Sequence, residues 1–462
     1  MSLVPLWTSD AIAAATGGVA STAFAVDGVT FDSREVGPRD LFVALKGEAT
    51  DGHRFVDQAA ALGASGFLVS EDVGAPNIRV ADTTIALTAL AVAARARTAA
   101  KIVGVTGSVG KTGVKEAIRR SLGRAMPEFV HASVKSYNNH TGVPLSLART
   151  PADCRMGVFE MGMNHAGELA ALTRLVRPHV AVVTAIASAH REFFASEEAI
   201  ADAKGEIFAG LEPGGVAIVP FDSPHRDRLI GWATPFAERV VTFGLGEGAD
   251  VRATAFTLHP DCTTATATVG EHRLMFRIGM AGAHWLSNAL AVLAAVDAVG
   301  GDLALAGLAL AELTELPGRG ARFAVARDGG TATVIDESYN ANPASMAAAL
   351  GVLGAVVPPG QGRRIAVLGE MRELGDGSDA FHAGLADAVA AAGVDRAILV
   401  GDAMAALADA LPRRITTIRA ASATDAFALL DKALAANDVV LIKGSNSVGL
   451  GSLVARLRKA AA

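Results

Sequence analysis

Residues 101–116, KIVGVTGSVGKTGVKE, limit the possible folds more than any other stretch of the chain. Ile102-Val103-Gly104-Val105 is a short β-branched apolar run, the pattern of a strand covered on both faces in a parallel sheet. Thr106-Gly107-Ser108-Val109-Gly110 is punctuated by glycine. Lys111 and Thr112 then open a segment that reads as helix through Lys115, Ala117 and Ile118. Strand, glycine turn and helix N-terminus in that order make a phosphate cradle. Backbone N–H groups and the positive helix end face the anion, Lys111 reaches the outer phosphates, and the Thr112 hydroxyl can ligate magnesium. The longer Walker pattern is incomplete because Val105 stands where its first glycine would be, whereas Gly107-x-x-Gly110-Lys111-Thr112 survives. A plain strand-to-helix turn is the weaker alternative. The expectation is an ATP site over Thr106, Gly107, Ser108, Val109, Gly110, Lys111 and Thr112.

A chain of 462 residues is too long for one ordinary core, and a prior of about 150 residues per domain suggests three. Hydrophobic residues make up 51% but aromatics only 5%, so the apolar content is Ala, Val and Leu, which suits helices packed on parallel sheets. The net charge is −6 with no basic stripe, which disfavours a nucleic-acid partner. Cys154 and Cys262 lie far apart without a Cys-x-x-Cys pair and read as buried free thiols. The N-terminus has neither a basic start nor a long apolar core, so no signal peptide is expected. The apolar region 286–313 is broken by Asp297 and Asp302, so no membrane insertion is expected. A cytoplasmic enzyme is the default.

The fold class expected is α/β in three domains. Residues 1–98 read as a small α/β unit, with a strand from Leu41 to Leu45 and a helix from Ala86 to Thr98; Arg95, Arg97 and Lys101 mark its end. Ser33, Arg34 and Lys46 flank its strands, where they bind a ligand or are simply solvated. Residues 99–316 alternate strands and helices, as in a P-loop ATPase-like, mostly parallel sheet. Ligands of such sheets lie at the carboxyl ends of strands. Glu160, after Met156–Phe159, and His190, after Val180–Thr184, are therefore expected on the same rim as Lys111. Residues 250–280 read as antiparallel, and two Ala- and Leu-rich helices follow. The pattern resets at Leu316-Pro317-Gly318-Arg319-Gly320. Residues 317–462 read as a Rossmann-like doubly wound domain that opens with a hairpin turning at Asp328-Gly329-Gly330.

Taken together, the Gly107–Thr112 loop, Lys135-Ser136-Tyr137-Asn138-Asn139-His140-Thr141-Gly142-Val143-Pro144, Glu160-Met161-Gly162 with Gly167-Glu168, Ala189-His190 and Ala203-Lys204-Gly205-Glu206 resemble the Mur ligase family. Asp336, Tyr339-Asn340-Ala341-Asn342-Pro343 and Lys443-Gly444-Ser445 complete the resemblance, which covers the whole chain. Tyr339–Pro343 and the Asn138-Asn139 pair are most similar to the branch that adds D-alanyl-D-alanine. Gly113, Thr141 and Asn446 depart from the family pattern.

The resemblance implies an ATP-dependent amide ligase that adds D-alanyl-D-alanine to UDP-N-acetylmuramoyl-tripeptide in peptidoglycan precursor synthesis, working as a monomer. It implies an acyl phosphate and no enzyme nucleophile. The three regions become a UDP-substrate-binding domain, an ATP-binding domain and a ligase domain. Lys111, Glu160, His190 and Lys204 become catalytic. Thr112 and Glu160 would hold one Mg2+, and His190 with a carboxylated Lys204 a second. Nothing but the resemblance singles out Lys204. Asn288 would contact adenine, Asp336 ribose and Arg319 the phosphates on domain closure. Ser33, Arg34 and Lys46 would lie near the uridine diphosphate, Asn138 and Asn139 near the acceptor peptide, and Asn340 and Asn342 near the incoming dipeptide. Other readings of the same architecture are a diaminopimelate- or lysine-adding Mur-type ligase, a folylpolyglutamate synthetase-like enzyme, and a nucleotide-binding module without ligase activity.

Overall fold

The computed structural model describes residues 4–47, 50–188, 192–314 and 318–461. The expected metal ligand His190 and the expected boundary at 316/317 lie outside the described residues. Among those described, the chain forms sheets of five, nine and six strands and a small two-stranded ladder. Helices cover the three larger sheets, the three-part α/β build expected from the alternating pattern.

The nine-stranded central sheet places Lys101–Thr106 between Met156–Glu160 and Val180–Val183, parallel to both. From Lys101–Thr106 the chain builds to one side through Val130–Ala132 and Met156–Glu160, then crosses to the other at Val180–Val183. In an open parallel sheet the ligand crevice lies where that order reverses, and here the Gly107–Gly110 turn emerges at that point. Helices Lys111–Gly123, Ala283–Ala298 and Leu303–Ala311 cover one face around Ile118, Leu290 and Leu310. Glu168–Val176, Glu197–Gly205 and Arg226–Ala233 cover the other around Leu169, Ile200 and Leu229. Both faces are dry, which is why the strands read as unbroken apolar runs. Val251–Leu258, Thr263–Val269 and His272–Ile278 close the sheet as an antiparallel ribbon, as expected.

In the N-terminal region, helix Thr83–Arg97 begins three residues before the expected Ala86. Asp82 caps it, its Oδ1 accepting from the amides of Thr84 and Ile85 at 2.7 and 2.9 Å, and a side-chain cap decides where a helix starts. The helix buries Leu87, Leu90 and Ala94 against Leu145 and Ala148 of helix Gly142–Ala148. Its arginines bridge regions. Arg95 donates to the carbonyls of Val176 and Arg177, and Arg97 to those of Leu6 and Thr150.

The six-stranded sheet carries the hairpin Ala321–Arg327 and Gly330–Glu337 at one edge, followed by four parallel strands. Its far-edge strand, Thr416–Ala420, is only partly buried, so its sequence TTIRA lacks the apolar run by which the inner strands are recognised. Cys154 and Cys262 are buried free thiols. Among the described residues no helix is long and apolar enough to cross a membrane.

Candidate active site

Gly107 and Gly110 have φ of +151° and +85°, a region that side chains disfavour. Space is closed to them as well. A Cβ on Gly107 would lie 2.0 Å from Thr184 Oγ1, and one on Gly110 would lie 2.7 Å from Asn288 Oδ1. The turn is pinned to the neighbouring strand end: Thr184 Oγ1 donates to Val109 O at 2.6 Å and the Ser108 amide to Ala185 O at 2.7 Å. Thr106 lies just before the turn and is fully buried, its hydroxyl without a hydrogen-bond partner. Val105 is buried inside the strand, so the cradle starts only after it. Lys111 Nζ donates to Gly107 O at 2.6 Å. Burial pulls its pKa below the ordinary lysine value; Glu160 opposes that and Arg319 adds to it. Cations converging on a glycine turn and helix N-terminus favour a polyanion.

Helix Ala283–Ala298 presses two side chains one turn apart onto the cradle helix. Asn288 meets Gly110, and Trp285 covers Gly113, where a Cβ would come within 2.8 Å of the indole Cη2. The Gly113 departure from the family pattern thus has a steric cause, and Asn288, expected to contact adenine, lies against Gly110 of the loop.

The segment Ser133–Asn139 lines the mouth of the cradle. Lys115, fully buried, donates from Nζ to the carbonyls of Ser133 and Lys135 at 2.7 and 2.8 Å. Ser136 Oγ lies 3.2 Å from Thr112 Oγ1 and accepts from Arg319 Nη2 at 3.2 Å. Asn138 Nδ2 donates to Glu160 Oε1 at 2.7 Å. Asn139 is exposed, its Oδ1 accepting from the Gly142 amide at 2.9 Å at the start of the next helix. Ser136 carries the contacts that join Thr112 to Arg319. It was legible only as part of the Lys135–Pro144 motif, since a lone serine signals nothing.

Glu160 is buried, and its Oε2 has no hydrogen-bond partner among the described residues. A buried carboxylate oxygen without a donor is costly; carboxylate and hydroxyl oxygens such as those of Glu160 and Thr112 are the hard donors that Mg2+ requires. Lys204, in helix Glu197–Gly205, is 1% exposed. Burial drives its pKa far below the ordinary value, Lys111 lowers it further, and no carboxylate counters them. As an ammonium it does not suit a dication. Its neighbour Glu206 has a separate task, accepting from the amides of Gly167 and Ala170 at the N-terminus of helix Glu168–Val176.

In the six-stranded region, Asp336 accepts from the amides of Gly318 and Ser338 and from Ser338 Oγ at 3.0, 3.2 and 2.6 Å. It anchors the stretch that delivers Arg319, whose guanidinium lies 4.1 Å over the Tyr339 ring. Buried Lys443 donates to Asn340 O at 2.8 Å and faces Glu337 at 3.7 Å. Asn340 itself is exposed. Asn342 caps helix Pro343–Ala355, with Oδ1 accepting from the Ser345 amide at 2.9 Å in a capping box. At the N-terminal rim, Ser33 follows strand Gly28–Thr30 and Lys46 follows its parallel neighbour Asp40–Val43. Arg34 pairs with Asp32 at 2.6 Å and holds that carboxyl down at about 2. Lys46 pairs with Glu71 at 2.6 Å.

Three α/β regions that meet at one phosphate cradle, with the linker arginine reaching into it, define a multidomain P-loop enzyme. Three models of a single family match in succession: the catalytic domain of the Mur ligase family at residues 25–104, the Mur ligase middle domain at 105–296, and the Mur ligase glutamate ligase domain at 321–446. The chain belongs to the Mur ligase family. It is 36% identical over 440 residues to the UDP-N-acetylmuramoyl-tripeptide–D-alanyl-D-alanine ligase of Escherichia coli (strain K12), which covers 94% of each chain. Among solved structures it resembles MurF from Acinetobacter baumannii, with a TM-score of 0.84 at 30% identity over 99% of this chain and 100% of that one. It also resembles MurF ligase from Thermotoga maritima in complex with ADP, with a TM-score of 0.76 at 26% identity over 94% and 97%.

Proposed function

We propose that the chain joins D-alanyl-D-alanine to UDP-N-acetylmuramoyl-tripeptide, converting ATP to ADP and phosphate. The observation that carries this reading is the end-to-end match to a ligase of that name, with the cradle intact. The acceptor carboxylate attacks the γ-phosphorus, which gives an acyl phosphate and releases ADP. The dipeptide amine attacks the acyl carbon, the amide forms, phosphate leaves and the amine sheds its proton.

Both steps crowd anions together, so charge neutralisation and positioning carry the catalysis. Lys111 and the Gly107–Thr112 amides hold the phosphates, and Arg319 approaches them from the linker. Asn288 faces the adenine side. Three of roughly four lone-pair positions on the Asp336 carboxylate are taken, which leaves one for a ribose hydroxyl. Ser33, Arg34 and Lys46 receive the diphosphate of the acceptor, and Asn138 and Asn139 border its peptide. Asn340, exposed on the rim, meets the dipeptide, with Asn342 shaping the turn beneath it.

Thr112 and Glu160 would hold one Mg2+, and His190 with a carboxylated Lys204 a second; bound magnesium neutralises phosphate charge. The burial that makes the Lys204 ammonium unfavourable leaves a neutral amine, the form that captures carbon dioxide. The enzyme is read as a monomer, because one chain supplies every group named here.

The test is ADP release with the uridine-linked tripeptide, with and without D-alanyl-D-alanine. Dipeptide-dependent turnover is expected, and its absence with both substrates present would overturn the reading. Lys204→Ala should cripple turnover, with partial recovery in a short carboxylic acid; full activity without rescue would exclude the carbamate.

A further inference from the structure

Seven consecutive residues, Ser133–Asn139, contact Thr112, Lys115, Glu160 and Arg319, and another of their partners lies outside the site. Glu35 sits on the N-terminal turn directly after Ser33 and Arg34, its amide donating to Asp32 O at 3.0 Å. Its carboxylate crosses to the central region. Tyr137 Oη lies 3.1 Å from each Glu35 oxygen, and Lys135 Nζ forms an ion pair with the same group. Phe31, on the same turn, packs its ring 5.5 Å from that of Tyr137. Two contacts therefore tie one N-terminal segment to one loop residue.

We propose that Glu35 is a positioning residue that couples occupancy of the acceptor-nucleotide rim to nucleotide binding at the cradle, acting through Tyr137 and Lys135. The coupling rests on the reading of Ser33 and Arg34 as acceptor contacts. Tyr137 is covalently flanked by Ser136, which bonds Thr112 and Arg319, and by Asn138, which bonds Glu160. A displacement at Glu35 reaches both neighbours within one peptide unit.

The loop holds this arrangement against a local cost. Lys135 has φ of +52°, a left-handed conformation that disfavours a residue with a Cβ by about 1–2 kcal/mol. Lys115 secures the loop from below through two carbonyls, while Glu35 and Tyr137 secure it from the N-terminal side. An acceptor seated beside Ser33 and Arg34 would hold Glu35 against the loop, so nucleotide binds more tightly with the acceptor in place. Linkage requires the reverse effect to be equal.

The experiment is calorimetric binding of a non-hydrolysable ATP analogue with Mg2+, with and without saturating uridine-linked tripeptide. In the unmodified enzyme the tripeptide should tighten analogue binding about fivefold or more, a common size for coupling between sites. In Glu35→Ala that gain should shrink to less than about twofold, read as the ratio of affinities with and without tripeptide within the variant so that any loss of stability cancels. Glu35→Gln, which keeps an oxygen for Tyr137, should restore part of the gain. Tyr137→Phe, which keeps the ring against Phe31, should lose part of it. At saturating tripeptide, KM for ATP should rise in Glu35→Ala by the factor lost in coupling. Full coupling in Glu35→Ala, or none in the unmodified enzyme although the tripeptide binds, would overturn the proposal. Failure of the tripeptide to bind at all would instead remove the functional reading on which it stands.

Discussion

Lys111 is where chemistry and burial pull in opposite directions. Burial and the nearby Arg319 disfavour its charge, and Glu160 supports it, so the ammonium is most comfortable with a polyanion in the cradle. Lys111→Ala should cost about 2–4 kcal/mol of transition-state stabilisation, the range seen when one charge-stabilising donor is removed. That loss should appear in kcat/KM for ATP, and near-native rates would move the phosphates elsewhere. Residue types and order placed Lys111, Thr112 and Glu160 on one rim without coordinates. Asp336 and Asn342 show the limit of that reasoning. Each keeps a polar side chain where the motif puts it, yet each satisfies backbone amides of its own turn or helix, and a motif does not reveal how many lone pairs remain.

At the scale of elements, the cradle helix and helix Ala283–Ala298 approach closely because two glycines on one meet Trp285 and Asn288 on the other. Gly113→Thr should overpack this contact and destabilise the protein by roughly 1–3 kcal/mol. A combined Gly113→Thr/Trp285→Leu variant should recover part of the loss in denaturant melts. If the single variant melts normally, the indole does not set the spacing. Asn342→Ala removes a capping box and should cost about 1 kcal/mol; because that cap also fixes the rim turn, KM for D-alanyl-D-alanine should rise while KM for ATP holds. Helix starts such as Thr83 were misjudged from the apolar pattern because capping depends on which acidic side chain folds back. The edge strand Thr416–Ala420 escaped notice because half-exposed edges carry no apolar run.

For the whole molecule, the last region touches the central one through hydrogen bonds. Arg319 reaches Ser136 from the last region, and the Glu192 amide donates to Glu373 O across the same interface. Global stability should also respond to acid through His131. Its ring nitrogen Nε2 lies 2.8 Å from Ser146 O, and burial holds its pKa down at about 4, against 6.5 for the free side chain. A depressed histidine binds fewer protons folded than unfolded. Its contribution is therefore complete above about pH 6.5 and is lost as pH falls toward about 4, by at most roughly 3 kcal/mol. His131→Gln should flatten that limb in a pH series of urea melts, and an unchanged slope would assign it to other groups.

Periodicity and glycine spacing alone determined the α/β class, the three-part organisation and the position of the phosphate cradle, because strand burial, helix spacing and left-handed turns are local demands written into short windows. Tertiary structure alone decided which polar groups were still free. Among the described residues Glu160 keeps an unpartnered oxygen and Lys204 has no counter-ion, whereas Glu206 is taken up by the amides of Gly167 and Ala170. That distinction depends on neighbours tens of residues away, and no local pattern encodes them.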